Sequence, residues 1–129
     1  MVTDRRAWFD AYLAAFNRDD FAGFGAYYAD DVQFFGQAAT LIGRDAVLDF
    51  YRGVKARLDE TVEVLAFIGD DRMAAAEIRT TLVAREDWPD FPTGPLVAGQ
   101  RRQSINFALY DIADDRFTRI RSARFRRLL

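Results

Sequence analysis

The sequence contains neither cysteine nor histidine. Without cysteine there can be no disulfide bond, thiolate nucleophile or zinc–thiolate site, which fits a reducing compartment. Without histidine, Ser-His-Asp and Cys-His catalysis, histidine metal ligation and imidazole acid–base catalysis are all excluded. Any proton transfer must therefore use Asp, Glu, Tyr, an arginine-assisted water or the single lysine, Lys55.

Strong charge imbalance and long apolar runs are also missing. The net charge is −2 with both signs mixed along the chain, so no overall field attracts nucleic acid or a membrane surface. The first ten residues, MVTDRRAWFD, contain no apolar run of signal-peptide length. We expect a cytoplasmic protein that binds neither nucleic acid nor membranes.

Sequence signatures of cofactor and metal sites are absent as well. There is no GxGxxG or P-loop motif, so no nucleotide site is predicted. With neither His nor Cys, a metal site would need clustered carboxylates, and the Asp pairs of this sequence fall at predicted turns. We expect a protein that uses no cofactor and no metal.

What the chain does contain is enough apolar sequence for one packed domain. It has 129 residues, of which 50% are hydrophobic and 15% aromatic, so we expect a single domain over residues 1–129. Apolar residues at spacings of three and four predict three helices, and alternating ones predict five strands. The predicted order is helix 4–18, helix 21–29, strand 32–36, helix 43–60, and strands 61–69, 73–86, 100–112 and 116–126.

This order predicts an α+β fold, a curved antiparallel sheet with the helices packed on its concave face. All three prolines lie in DWPDFPTGP, residues 87–95, which must be a long connection between two strands. Its apolar residues predict that it folds over a cavity mouth or a partner subunit.

Three stretches carry a family resemblance: FAGFGAYYADDV, GRDAVLDFY and the closing RFTRIRSARF. Together with the element order, they resemble the nuclear transport factor 2-like (cystatin-like) superfamily, and within it the SnoaL-like and ketosteroid isomerase-like proteins. The resemblance implies a cone-shaped sheet that holds an apolar ligand, and a homodimer formed through the convex sheet face. It implies less about activity, because one fold hosts many functions.

The resemblance to ketosteroid isomerases also implies site residues. Tyr12 falls on the oxyanion-binding tyrosine, Tyr28 and Tyr51 on two supporting tyrosines, and Asn106 on a protonated aspartate. Asn106 can still donate a hydrogen bond, so an altered oxyanion hole is expected. The alternative is that the three tyrosines are core aromatics whose hydroxyls bind backbone or water.

The base of those isomerases has no counterpart here. Its position falls on Phe35 or Gly36, and neither residue can accept a proton. Steroid isomerisation by that route is therefore not expected.

Glu77 is the candidate for a replacement base. It stands among alanines in MAAAEIRTTL, where apolar surroundings would raise its pKa, and Arg79 lies on the same strand face. Two arrangements are open. Either Glu77 faces the cavity and Ala74, Ala76, Ile78 and Leu82 form an outer surface, or those residues are core and Glu77 pairs with Arg79 outside.

Arg124 is the candidate for binding an acidic group or an enolate, on one strand face with Ile120 and Ser122. The arginine-rich C-terminal strand around it is otherwise interpreted as a solvated, salt-bridged strand. The full set of expected ligand-contacting residues is Trp8, Phe16, Tyr28, Phe35, Tyr51, Arg79, Ser104, Ile120 and Arg124.

Two functions are compatible with these residues. The first is a small cofactor-free isomerase, dehydratase or cyclase that binds an apolar carbonyl or hydroxyl compound, with Tyr12 and Asn106 polarising oxygen and Glu77 as the base. The second is a ligand-binding or accessory module of the same fold that performs no chemistry.

Overall fold

Three helices and six strands form residues 4–129, the part of the chain that the computed structural model describes. Their order matches the sequence prediction except for one additional short strand. The elements are α1 Arg5–Asn17, α2 Phe21–Gly25, β1 Tyr28–Phe35, β2 Thr40–Ile42, α3 Arg44–Arg57, β3 Leu58–Gly69, β4 Met73–Ala84, β5 Arg101–Ala113 and β6 Arg116–Arg127.

Helices α1 and α2 are each preceded by an aspartate whose side chain accepts a hydrogen bond from a free backbone N–H group. The Asp4 side chain accepts a hydrogen bond from the Ala7 backbone at 3.0 Å, and the Asp20 side chain accepts one from Gly23 at 2.9 Å. Before α3 the chain turns at Gly43, whose φ of 97° lies in the region that favours glycine. None of the helices in residues 4–129 is long and apolar enough to cross a membrane.

One six-stranded sheet joins all the strands in the order β2-β1-β6-β5-β4-β3. Strands β3 to β6 form an antiparallel meander. The turn sequences GDD at 69–71 and ADD at 113–115 predict the short β3–β4 and β5–β6 turns, and the long proline-rich connection joins β4 to β5. Strand β1 instead runs parallel to β6, so the predicted antiparallel sheet is in fact mixed. This pairing places the end of β1 beside the C-terminal strand.

Two predicted boundaries are wrong, and both affect the site. The second helix stops at Gly25, and Tyr28 opens β1, so Tyr28 lies on a strand and not on a helix. The third helix ends at Arg57, and β3 begins at Leu58, which pairs with Ala84 of β4. Glu60 therefore lies on β3, on the same strand face as the buried Leu58.

The concave face of the sheet and the helices enclose the main core. On β4, Ala74, Ala76 and Ile78 are buried in the same cluster as Phe9 and Phe16 of α1. Because side chains alternate across a strand, residues between these alanines point to the convex face. The second of the two arrangements considered for β4 is therefore correct in its facing, but Arg79 pairs with Glu63 of β3 and not with Glu77.

The connection 87–95 folds back onto the domain. Phe91 and Leu96 are buried in a second cluster with Val54, Leu58 and Leu82, and Trp88 forms a β-bridge with Leu96. This packing brings Phe91 and Thr93 into the wall of the cavity described below, as the sequence prediction required.

Candidate active site

A cavity of about 180 Å³ lies between the concave face of the sheet and helices α1 and α3. Helix α1 contributes Tyr12 and Phe16, and helix α3 contributes Tyr51. The sheet supplies the opposite wall from β3 to β6, while Phe34 of β1 closes one side. Aromatic and aliphatic side chains dominate this wall, so polar groups on it stand out.

Glu60 is the one carboxylic side chain on the cavity wall within the described residues. It lies on β3 on the same face as Leu58 and Val62, and it is partly buried. Burial raises the pKa of the Glu60 carboxyl from 4.5 to about 7. A group with such a pKa is ready both to accept and to release a proton near neutral pH.

The nearby ammonium of Lys55 does not bring this pKa back to normal. Its Nζ donates to Asp19 Oδ1 at 2.5 Å and to the main-chain oxygens of Phe16 and Glu60 at 2.8 and 3.0 Å. The lysine charge is therefore paired with Asp19, whose own charge further raises the Glu60 pKa. The Glu60 carboxyl is left as the reactive group of this wall.

Sequence reasoning missed Glu60 because the third helix was predicted to end there. A signal was present: Leu58, Glu60, Val62 and Val64 alternate with polar or exposed residues, which is the pattern of a strand with one buried face. The strand begins three residues before the prediction placed it. Glu60 was therefore predicted to end a helix, whereas it lies on the apolar face of a strand.

Tyrosine hydroxyls lie deep in the cavity. The Tyr12 hydroxyl oxygen is 2.8 Å from that of Tyr28, and Tyr51 and Tyr110 also line the wall. Burial raises the pKa of Tyr12, Tyr28 and Tyr51 well above the ordinary value, and the Glu60 carboxyl adds to the effect on Tyr51. These hydroxyls therefore stay protonated at neutral pH and can act as hydrogen-bond donors.

Asn106 is held in a polar network on the sheet wall. Its Oδ1 accepts a hydrogen bond from Gln37 Nε2 at 2.8 Å, and its Nδ2 donates to Thr80 Oγ1 at 2.9 Å and to Ser104 Oγ at 3.3 Å. These contacts fix the orientation of the amide. Gln37, from the β1–β2 connection, was not recognised from the sequence.

Seven of the twelve residues expected in the site line the cavity. They are Tyr12, Phe16, Tyr51, Ser104, Asn106, Ile120 and Arg124. Tyr12, Tyr51, Asn106 and Arg124 were expected there from the family resemblance, and they lie on helix stripes or strand faces whose inward side is apolar. Arg124 lines the cavity, but it is exposed, whereas a buried arginine was expected at this position.

Glu77 and Arg79 are on the wrong face for the roles expected of them. Both lie on β4 between inward-facing residues, so they project from the convex side of the sheet. Arg79 forms an ion pair there with Glu63 of β3. A base at Glu77 would be separated from the cavity by the sheet itself.

Trp8, Tyr28 and Phe35 complete the corrections. Trp8 packs against Tyr27 and Phe117 in the aromatic core, away from the cavity wall. Tyr28 is fully buried and reaches the cavity only through its bond to Tyr12. Phe35 is 37% exposed, and its neighbour Phe34 faces the cavity in its place.

No three carboxylates within residues 4–129 converge where they could share a metal ion. The polar groups of the cavity are instead one carboxyl, several protonated hydroxyls, an amide network and arginines. Such a set can remove a proton from a bound molecule and stabilise a developing oxyanion.

Solved structures of similar fold come from several bacteria. A SnoaL-like polyketide cyclase from Agrobacterium tumefaciens C58 is 21% identical over 95% of this chain and 92% of that chain, with a TM-score of 0.75. An LEH-like epoxide hydrolase from Mycobacterium tuberculosis is 18% identical over 92% and 80%, with a TM-score of 0.72. A Catenulispora acidiphila protein with a ketosteroid isomerase-like fold, in complex with trimethylamine, is 13% identical over 90% and 83%, with a TM-score of 0.72.

These similarities confirm the nuclear transport factor 2-like fold. No curated protein sequence matches the chain. The family model of the SnoaL-like domain matches residues 9–120, which is most of the sequence. The chain therefore belongs to the SnoaL-like domain family.

Proposed function

We propose that the protein is a cofactor-free enzyme that isomerises, dehydrates or cyclises an apolar carbonyl or hydroxyl compound by acid–base catalysis. The observation that carries this proposal is the Glu60 carboxyl on the cavity wall, with a pKa of about 7. A base whose pKa lies near the working pH combines a large deprotonated fraction with useful basicity.

In this proposal Glu60 replaces Glu77 as the base. The Glu60 carboxylate removes a proton from the carbon next to the substrate carbonyl, and the electron pair moves onto the carbonyl oxygen. The Tyr12 hydroxyl donates a hydrogen bond to that oxygen. Asn106 does not take the donor role expected from the sequence, because its amide already donates to Thr80 and Ser104. The protonated Glu60 then returns the proton to another carbon or to a leaving hydroxyl.

The relatives support the proposal at the level of reaction class. Proteins of this fold include a polyketide cyclase and an epoxide hydrolase, whose substrates are oxygenated organic molecules. The cavity is open to a ligand of modest size and is mostly apolar, which suits such a molecule.

The test is α-proton exchange of simple ketones in D₂O, followed by NMR, because it detects proton removal without knowledge of the natural substrate. We expect the wild type to accelerate exchange in acetophenone or propiophenone. Glu60→Gln should lose this activity by about 100-fold or more, since it keeps the size of the side chain but cannot accept a proton.

Glu77→Gln is the matched control, because it makes the same chemical change on the convex face. Its exchange activity should equal that of the wild type. Exchange that persists in Glu60→Gln would exclude Glu60 as the base.

The second candidate is a binding module that performs no chemistry. It is favoured by Phe35 and Gly36 at the position of the usual base, where neither residue can accept a proton. Measurable binding of the ketones with no acceleration of exchange would select this alternative.

A further inference from the structure

Three arginines form a cationic end of the cavity. Arg102 of β5 and Arg124 and Arg127 of β6 all line its wall. Within residues 4–129, none of them forms an ion pair with an Asp or Glu side chain, whereas other arginines of β6 do. We propose that this end of the cavity binds the carboxylate of an apolar ligand, so that the substrate is an aromatic or other apolar acid of modest size.

Arg102 is the buried member of this group, with 7% of its surface exposed. Its terminal nitrogens donate to the main-chain oxygens of Thr93, Gly94 and Pro95, with the shortest contact 2.9 Å. These carbonyls satisfy hydrogen bonds but do not neutralise the charge. The buried Nε has no partner among the described residues.

Burial and the guanidinium groups of Arg127 and Arg124 lower the pKa of Arg102 below its ordinary value. Burial is the larger cause, and the two neighbouring guanidinium groups add repulsion that no Asp or Glu side chain within residues 4–129 offsets. An anionic ligand would relieve it, because a carboxylate offers two acceptors that match the geometry of a guanidinium.

Two other arginines of β6 differ because their charges are paired with a carboxylate. Arg119 and Arg121, on the convex face, both contact the Asp111 carboxylate, at 2.6 and 3.4 Å. Arg127 donates from Nε to the Leu129 main-chain oxygen at 2.7 Å, and Arg124 projects beside Asn106. On the cavity side, Arg124 and Arg127 carry charges that no Asp or Glu side chain within residues 4–129 offsets.

The strand register gives the distance between Glu60 and Arg102, and from it the length of a ligand that reaches both. Glu60 pairs with Leu82, and Leu82 pairs with Arg102, so one strand separates the carboxyl from the buried arginine. Two strand spacings correspond to about 10 Å between their backbones. A ligand with its carboxylate at the arginines and its reacting carbon at Glu60 needs an apolar body between them, which the Leu82 and Val62 side chains would contact.

This inference rests on the proposed function, because it assumes that the cavity receives the substrate. Its test, however, measures binding and not turnover. The probes are cinnamate and cinnamamide, which have the same apolar body and differ in the charge of the end group. Calorimetric titration should show cinnamate binding about 10-fold or more tightly than cinnamamide.

Arg124→Gln is the informative variant because Arg124 is exposed and makes no contact that holds the 87–95 connection. It should weaken cinnamate binding about 10-fold and leave cinnamamide binding unchanged. Arg126→Gln is the matched control: Arg126 pairs with Ile105 on the convex side, and its replacement should alter neither affinity.

Equal affinity for both probes, no binding of either, or an equal loss in Arg126→Gln would overturn the proposal. Glu60→Gln separates it from the proposed function. If that variant binds cinnamate but still exchanges ketone protons, the anion site stands and the assignment of the base fails.

Discussion

The hydroxyl oxygens of Tyr12 on α1 and Tyr28 on β1 lie 2.8 Å apart, and both tyrosines are buried. Only Tyr12 borders the cavity. If Tyr28 donates to Tyr12, the Tyr12 proton is free to point at a ligand oxygen. The pair therefore links a deep structural residue to the candidate site.

The tyrosine pair predicts a coupling in stability. Tyr12→Phe leaves the Tyr28 hydroxyl without its partner and should lower the free energy of unfolding by about 1–3 kcal/mol. Tyr28→Phe should cost less, because Tyr12 still borders the cavity, where water can reach it. The double variant should lose less stability than the two single variants lose together. Urea denaturation of the wild type, both single variants and the double variant would measure this difference.

Tyr12→Phe also predicts a catalytic loss. Removal of one oxyanion donor should slow ketone exchange by about 100-fold, while the affinity for the ketone changes little. The same replacement at Tyr27, which lies in the aromatic core outside the cavity wall, is the control. Normal exchange in Tyr12→Phe would mean that another group polarises the carbonyl.

Glu60 predicts a pH dependence of stability. Its pKa is about 7 in the folded protein and near 4.5 when unfolded, so the folded state holds the proton more tightly. Wild-type stability should therefore fall as the pH rises from about 4.5 to about 7, by up to about 3 kcal/mol from this group.

Glu60→Gln should remove that fall. Relative to the wild type, the variant should gain about 3 kcal/mol of stability between about pH 4 and pH 8. Glu77→Gln should show no comparable gain. Parallel pH profiles for Glu60→Gln and the wild type would show that the Glu60 pKa is ordinary.

We propose that the protein forms a homodimer through the convex face of the sheet, where two aromatic side chains are exposed. Phe107 and Phe125 are 47% and 58% exposed there, with ring centroids 5.1 Å apart, beside an apolar groove that also contains Ile68 and Leu109. Adjacent exposed aromatic rings of this kind mark surfaces that bind a partner. A second copy of the chain is the partner proposed here.

The measurement is light scattering at micromolar concentration. The wild type should be a dimer, and Phe107→Lys should be a monomer, because the new charge would lie inside the interface. Ile42→Lys is the control, since Ile42 is 63% exposed on β2, at the other end of the sheet. A wild-type monomer would refute the homodimer.

The sequence was sufficient for the order of the three helices and the five longer strands, because local patterns determine it. Helical spacings, alternating strands and the turns at residues 69–71 and 113–115 gave the element order. The parallel pairing of β1 with β6 and the three-residue strand β2 were missed. Both depend on contacts between distant segments, and periodicity within a short window carries no information about them.

The site was predicted less completely, for a geometric reason. Tyr12, Asn106 and Arg124, which the family resemblance indicated, lie on long helices and strands and line the cavity. Glu60 was missed because it fell at the end of a predicted helix, and for Glu77 the sequence left open which strand face points inward. A shift of one residue reverses the face on which a strand side chain lies. An error of one residue in a predicted strand therefore changes which carboxylate is expected in the cavity.

The central claim is that Glu60 is the base of the cavity, and the pH profile of ketone exchange tests it most directly. In the wild type and in Glu77→Gln, the exchange rate should rise with pH and level off, with a midpoint at about 7. Glu60→Gln should lack this rise. A wild-type midpoint near 4.5, or an unchanged profile in Glu60→Gln, would contradict the account.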